Sequence, residues 1–181
     1  MRYNVKEEYA IILDYLPSQG YAYALGTKYF LLLKLKPKPD YSPAPLDIVY
    51  IGPGKRDKIL SIIGKASYDE LTEFAKEQLR EALRRIVKER EKDFVNFFNT
   101  AGPITLRLHA LELLEGIGKK LVEEIVEERS KKPFESFKDI EERIPKIKNV
   151  VDLIVDRIID ELQCKDRYHL FTPPVICQKK Q

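Results

Sequence analysis

Hydrophobic and polar positions change their spacing along this chain, and each change predicts a new kind of element. Tyr9, Ile11, Leu13 and Tyr15 alternate with other residues, which is the period of a β-strand. Tyr29 to Lys36, Ile48 to Ile51 and Leu60 to Ala66 predict further strands. Pro37-Lys38-Pro39-Asp40-Tyr41-Ser42-Pro43-Ala44-Pro45 must be an exposed loop, because proline fixes φ and removes ladder donors. From Leu71 the spacing becomes helical. Phe74, Ala75, Leu79, Ala82, Leu83, Ile86 and Val87 form a stripe that continues through Phe94, Val95, Phe97 and Phe98. Ser67-Tyr68-Asp69-Glu70 has the form of a capping box, so one long helix is expected from there until Gly102-Pro103 stops it. Next, Leu106, Ala110, Leu113 and Leu114 precede Gly116-Ile117-Gly118, and Leu121, Val122, Ile125 and Val126 follow it. Two short amphipathic helices joined by a glycine hairpin are predicted, with Ile117 as the apolar turn residue.

A degenerate copy follows. Aligning Ile147 with Ile117 sets Ile144 against Leu114, Ile140 against Ala110, Val151 against Leu121 and Val155 against Ile125. Lys146 and Lys148 stand in place of the glycines, so close backbone approach is lost while positive charge stays. The second hairpin is therefore expected to be structural, with Phe134 and Phe137 of the linker in the seam between the copies. After Leu162 the chain turns polar. Tyr168 to Thr172 is expected to return as an edge strand, and Gln178 to Gln181 to fray.

The first hairpin carries the candidate chemistry. Its second helix begins with unpaired amides that bear partial positive charge, and such a helix start attracts anions. A helix start built for stability prefers acids in its first turn, yet this one opens with Lys119 and Lys120. Bound phosphate would offset that cost, since cations and amide donors then converge on one anion. These residues resemble the helix-hairpin-helix class of nucleic-acid-binding elements, whose glycine hairpin contacts the sugar-phosphate backbone without reading bases. That class commonly has proline before the first glycine. Here Glu115 takes the place, and an acid beside the site should weaken binding.

Composition narrows the rest. The chain has 181 residues, enough for one or two domains with a real core. Charged residues make up 34%, above the usual share, and tryptophan is absent, which leans towards a thermophile's cytoplasmic protein. Met1-Arg2-Tyr3-Asn4 opens no secretory segment and no apolar run is long enough to span a membrane, so a cytoplasmic protein with no membrane partner is expected. Net charge is only +3, and residues 105–162 carry eleven Lys/Arg against fourteen acids. Glu123, Glu124, Glu127 and Glu128 of the second helix must therefore face away from the hairpin tip if it is to bind phosphate. Cys164 and Cys177 are too few for a disulfide framework, and with His169 between them they lack the paired spacing of a zinc site. No chemistry, metal or cofactor is assigned to them.

Gly52-Pro53-Gly54-Lys55-Arg56 is a turn between strands without the lysine-then-hydroxyl spacing of a nucleotide hydrolase loop. It reads either as a solvated tip or as backbone-phosphate contacts from Lys55 and Arg56. Several short strands with a basic bias suggest a partly open barrel of the oligonucleotide-binding type, with Tyr21, Tyr23, Tyr29 and Tyr50 as candidate stacking platforms. Arg107 and His109 precede the hairpin and stand where they could share Lys119's ligand; His109 reads equally as a residue satisfied by a neighbour. Adjacent acids such as Glu123-Glu124 and Glu141-Glu142 splay apart on a helix, and nothing marks a nucleophile, base and electrophile together, so no catalytic residue and no enzyme is expected.

Tyr50-Ile51-Gly52, Arg56-Asp57-Lys58-Ile59, Phe94-Val95-Asn96-Phe97-Phe98-Asn99, Ile104-Thr105-Leu106-Arg107-Leu108-His109 and the hairpin together resemble an archaeal family of unknown function, domain family 655, over about Glu8 to Thr172. The resemblance implies an α+β fold with an oligonucleotide-binding-like barrel before tandem helix-hairpin-helix units. The expected boundaries are 1–66 for the small β-barrel, 67–104 for the connecting helix, 105–162 for the all-α tandem hairpin domain, and 163–181 for an extension with a disordered end. The functional expectation is non-catalytic nucleic-acid binding through Gly116, Ile117, Gly118, Lys119, Lys120, Lys55, Arg56 and Arg107, with RNA slightly preferred to DNA. The alternative is a scaffold in a ribosomal or nucleic-acid-processing assembly, its acidic helices meeting a basic protein.

Overall fold

Tyr21–Gly26, absent from the expected strand runs, is the central strand of a five-stranded sheet. The computed structural model describes residues 5–178, so Met1-Arg2-Tyr3-Asn4 and the expected frayed end beyond Gln178 lie outside the described residues. The strands are β1 (Tyr9–Leu16), β2 (Tyr21–Gly26), β3 (Leu32–Pro37), β4 (Ile48–Tyr50) and β5 (Ile59–Lys65), in the order β4-β1-β2-β3-β5. All neighbours are antiparallel, and the sheet curls into a half-barrel with β4 and β5 as free edges. The chain divides into two compact units, one of residues up to Leu83 together with those from Asp160, the other Arg84–Ile159.

In the first unit alternation delivers a two-faced sheet. Ala10, Ile12, Ala22, Ala24, Leu33 and Leu35 share one apolar cluster with Val49, Ile51 and Ile59. The opposite face presents a polar row, because Asp14, Tyr23 and Lys34 are register partners across three strands. That row receives the segment after the sheet: Thr72 Oγ1 donates to Asp14 Oδ2 at 2.6 Å, Tyr23 OH donates to the Glu70 carbonyl at 3.1 Å, and Lys34 Nζ lies 2.6 Å from Glu70 Oε1. Burial pushes the Glu70 carboxyl up, but the hydrogen bonds from Lys34 and Ser67 outweigh it and leave the carboxyl below its ordinary range. The capping box at Ser67 forms, yet it caps only a 3-10 turn, Tyr68–Glu70. Helix α1 (Glu73–Glu89) starts later, where Thr72 Oγ1 accepts from the Ala75 amide at 3.0 Å.

Two other expectations change here. Tyr168 to Thr172 forms no strand, because the Leu170, Phe171 and Thr172 amides all donate to the buried Glu161 carboxylate, at 2.9, 3.0 and 3.0 Å. Cys164 and Cys177, given no role from sequence, are bonded to each other with Cα atoms 5.6 Å apart. Among the described residues no group of His, Cys, Asp or Glu could hold a metal, and no helix is long and apolar enough to cross a membrane.

In the second unit the expected continuous helix is broken at Arg90, whose φ of −102° and ψ of 33° are not helical, and the chain resumes as α2 (Glu91–Thr100). The remaining helices are α3 (Lys119–Lys131), α4 (Phe137–Arg143) and α5 (Val150–Leu162), which ends among residues of the first unit. Asn99 clamps the linker before α4, donating to the Phe134 carbonyl at 2.9 Å and accepting from the Phe134 amide at 2.7 Å. Phe134 and Phe137 are buried, as are Ala110, Ile140, Leu114, Ile144, Ile117, Ile147, Ile125 and Val155. Four of the aligned apolar pairs are thus buried at both positions, whereas Leu121 is buried and its counterpart Val151 only half-buried. The element before the first hairpin differs from expectation. It is a single 3-10 turn, Ala110–Leu113, because His109 caps it: the imidazole Nδ1 accepts from the Leu111 amide at 3.1 Å and the His109 amide donates to Glu112 Oε2 at 2.7 Å. Leu106 consequently leaves the apolar stripe.

Candidate functional site

Ile117 fixes the hairpin tip. Its side chain is 5% exposed, while Gly116 and Gly118 on either side lie in solvent. Gly116 has φ +78°, a conformation that favours glycine, and a Cβ there would meet nothing within 4 Å. Gly118 is extended, with φ −95°, and is also open on its Cβ side, so only Gly116 uses left-handed backbone. Gly118 is the N-cap of α3 and supplies no side chain, which leaves the first amides of a 13-residue helix uncapped. A ligand can approach the main chain here without displacing any side chain.

The cations around this start fall into two kinds. Lys119 is tied down, donating from Nζ to the Arg107 carbonyl at 3.0 Å and lying 3.6 Å from Glu112 Oε1. Lys120 is exposed and has no ion pair among the described residues. Arg107 is exposed on the preceding turn, so the structure brings Arg107, Lys119, Gly116, Ile117, Gly118 and Lys120 into one neighbourhood. His109 is occupied by capping; burial first, then the Arg129 guanidinium, holds its pKa below the ordinary imidazole value.

Sequence reasoning missed two cations. Lys146 and Lys148 of the second hairpin line the same groove as Glu115, Gly116, Ile117 and Leu121, a cleft of about 220 Å³. Both are exposed. Their signal was visible as a lysine at each glycine position of the repeat, but only packing of one hairpin beside the other brings them to the first tip.

The acids are arranged unevenly. Glu127 and Glu128 sit towards the far end of α3, about 12 Å along the axis from Lys119 at the usual helical rise, and pair with Lys131 at 3.8 and 3.0 Å. Glu128 also meets Arg143. Glu123 and Glu124 are exposed one turn beyond Lys119 and Lys120, and Glu115 lines the groove itself. The tip is therefore not walled off, but four carboxylates lie near it: Glu115, Glu123, Glu124 and Glu112, which pairs with Lys119.

Lys55 and Arg56 belong to the other unit. Lys55 is exposed on the loop from β4 to β5, whereas Arg56 is partly buried and donates from Nε to the Gly52 carbonyl at 2.9 Å. Arg56, Lys6 and Lys65 rim a concavity of about 440 Å³ on the half-barrel, floored by Leu31, Leu33, Ile51 and Ile62. Of the candidate aromatics, Tyr23 is buried and its phenol is pushed well above the usual range by burial and then by the Tyr21 hydroxyl. Tyr29 packs against the core, and Tyr50 stacks edge-on with Tyr9 and donates to the Pro53 carbonyl at 2.6 Å.

Residues 6–173 match the family model described as "Protein of unknown function (DUF655)". An uncharacterised protein of Methanocaldococcus jannaschii, MJ0038, is 47% identical over 175 residues, covering 91% of this chain and 79% of the relative. The crystal structure of Af1531 from Archaeoglobus fulgidus, also of that family, superposes with a TM-score of 0.86 at 40% identity, covering 92% of this chain and all of the other.

Proposed function

The chain belongs to the DUF655 family of proteins of unknown function, and from the geometry of its second unit we propose that it is a non-catalytic nucleic-acid-binding protein. Its paired hairpins act as tandem helix-hairpin-helix elements that hold the sugar-phosphate backbone. One observation carries this reading: a groove lined by Lys146 and Lys148 of the second hairpin and by the Gly116-Ile117 tip of the first opens two residues before the uncapped start of α3, where Lys119 and Lys120 are exposed. Gly116, Ile117, Gly118, Lys119, Lys120 and Arg107 form the primary contact, to which Lys146 and Lys148 are added. The half-barrel serves as an oligonucleotide-binding-like platform on which Lys55 and, more weakly, Arg56 touch an adjacent stretch. RNA is favoured slightly over DNA, because single-stranded and helical parts adjoin in folded RNA.

Binding should weaken steeply with salt, with log affinity falling by about 0.9 per decade of salt for each duplex phosphate neutralised. The variant Lys119→Glu/Lys120→Glu should keep its circular dichroism, with a melting temperature lowered only by the lost Lys119 ties to Arg107 and Glu112, yet lose about tenfold or more in affinity for RNA and DNA at low salt. Salt-independent affinity, or an unchanged affinity in the double variant, would reject the phosphate-binding role.

A scaffold role is the second reading, and a specific observation favours it: β5 is a free sheet edge on which Leu60, Ile62 and Ile63 are exposed. On that reading the lysine variant leaves partner binding intact.

A further inference from the structure

Leu106 is the most exposed large apolar side chain among the described residues, at 107% of its reference area. An isolated exposed leucine is ordinary. This one stands at the tip of a braced turn. The Ile104 and Thr105 amides donate to the Leu108 carbonyl at 2.8 and 3.1 Å, the Arg107 amide donates to Thr105 Oγ1 at 3.2 Å, and Pro103 bridges His109 at the base. Lys119 Nζ then ties the turn to the start of α3 through the Arg107 carbonyl. The backbone therefore holds an apolar side chain out into water next to Arg107, the residue whose carbonyl Lys119 grips. Nothing in the fold of the described chain uses its methyl groups. Ile104, 39% exposed, widens the same apolar tip.

We propose that Leu106 is a wedge that enters a base step of a helical nucleic acid while Arg107 and the hairpin lysines hold the flanking phosphates. The proposal rests on the nucleic-acid reading above and narrows the ligand to base-paired duplex. The chemistry suits the site: apolar side chains such as leucine unstack base steps at an energetic cost, and phosphate contacts on either side offset it. A cation and the wedge are needed at one place, and the Lys119 tether together with Arg107 supplies that pairing.

The test uses the full chain and short duplexes carrying 2-aminopurine, one of DNA and one of RNA, since unstacking raises the fluorescence of that base. Saturating wild-type protein should raise it about twofold or more on at least one duplex. Leu106→Ala should bind within about threefold of wild type with the same salt slope, because phosphate contacts set position and most of the affinity, but the fluorescence rise should vanish. Leu106→Phe should keep the rise. Salt-dependent binding without any rise, or an equal rise with Leu106→Ala, would overturn the wedge and leave phosphate binding standing. Absence of wild-type binding to both duplexes would overturn the wedge, and absence of binding to the same strands unpaired would overturn the phosphate-binding role as well.

Discussion

Glu115 is the residue that most opposes anion binding, since its exposed carboxylate lines the groove into which Gly116, Lys146 and Lys148 also face. Its charge is not engaged in an ion pair among the described residues, so it acts on a bound phosphate through partly screened water. At such separations one unit charge is worth on the order of 1 kcal/mol. Glu115→Gln should therefore tighten binding to an oligonucleotide about two- to fivefold at low salt, and the gain should shrink at high salt as screening shortens the reach of the charge. Fluorescence anisotropy at two salt concentrations measures this. Gly116 answers differently to change. An alanine there has open space but inherits φ +78°, so the cost of Gly116→Ala is backbone strain at the tip and not a clash.

The 3-10 turn Ala110–Leu113 is the element with a built-in pH dependence. Its cap is a neutral imidazole: His109 Nδ1 accepts from the Leu111 amide, which a protonated ring cannot do. Burial and Arg129 depress the folded-state pKa below the unfolded value. The folded state then binds fewer protons than the unfolded state in the window between the two, so stability rises with pH across it. The contribution is full above about 6.5, the ordinary histidine value, and is lost as pH falls through the depressed folded value. Urea unfolding should give lower stability near pH 5 than near pH 8. His109→Asn, which keeps a capping acceptor without a titration, should flatten that part of the profile. This element also shows where sequence reading stops. Burial at Ala110 and Ile140, Leu114 and Ile144, and Ile117 and Ile147 was legible, because it follows from apolar spacing alone. The shortening of the first helix was not, since it depends on a histidine acting as cap and on a bridge from Pro103 to His109. β2 was missed because its Tyr-Ala-Tyr-Ala-Leu-Gly run is apolar at every position, as suits a central strand with buried residues on both faces, and so shows no alternation. Lys146 and Lys148 join the site only through packing, which no local pattern reports.

At the scale of the whole chain, the C-terminal segment returns to the first unit and is held there by two devices that sequence left without a role. The first is Glu161, whose buried carboxylate accepts from the Leu170, Phe171 and Thr172 amides and from Thr172 Oγ1 at 2.8 Å. A charge buried this deeply is tolerable because several donors converge on it. The second is the Cys164–Cys177 bridge, which closes a loop across a sequence separation of 13 around that cluster. Ile176, next to the bridge, packs against the apolar cluster of the half-barrel. The carboxylate sets the fold of the loop, and the bridge limits how far the loop can expand once unfolded. Closing a loop of this size stabilises by at most about 3 kcal/mol through unfolded-state entropy. Reduction, or the pair Cys164→Ser/Cys177→Ser, should therefore lower the melting temperature by about 5–10 °C for a chain of this size, while reducing agent should leave the serine variant unmoved. Calorimetry with and without reductant checks both. A melting temperature insensitive to reductant in the wild type would mean that Glu161 and its donors hold the segment without help from the bridge.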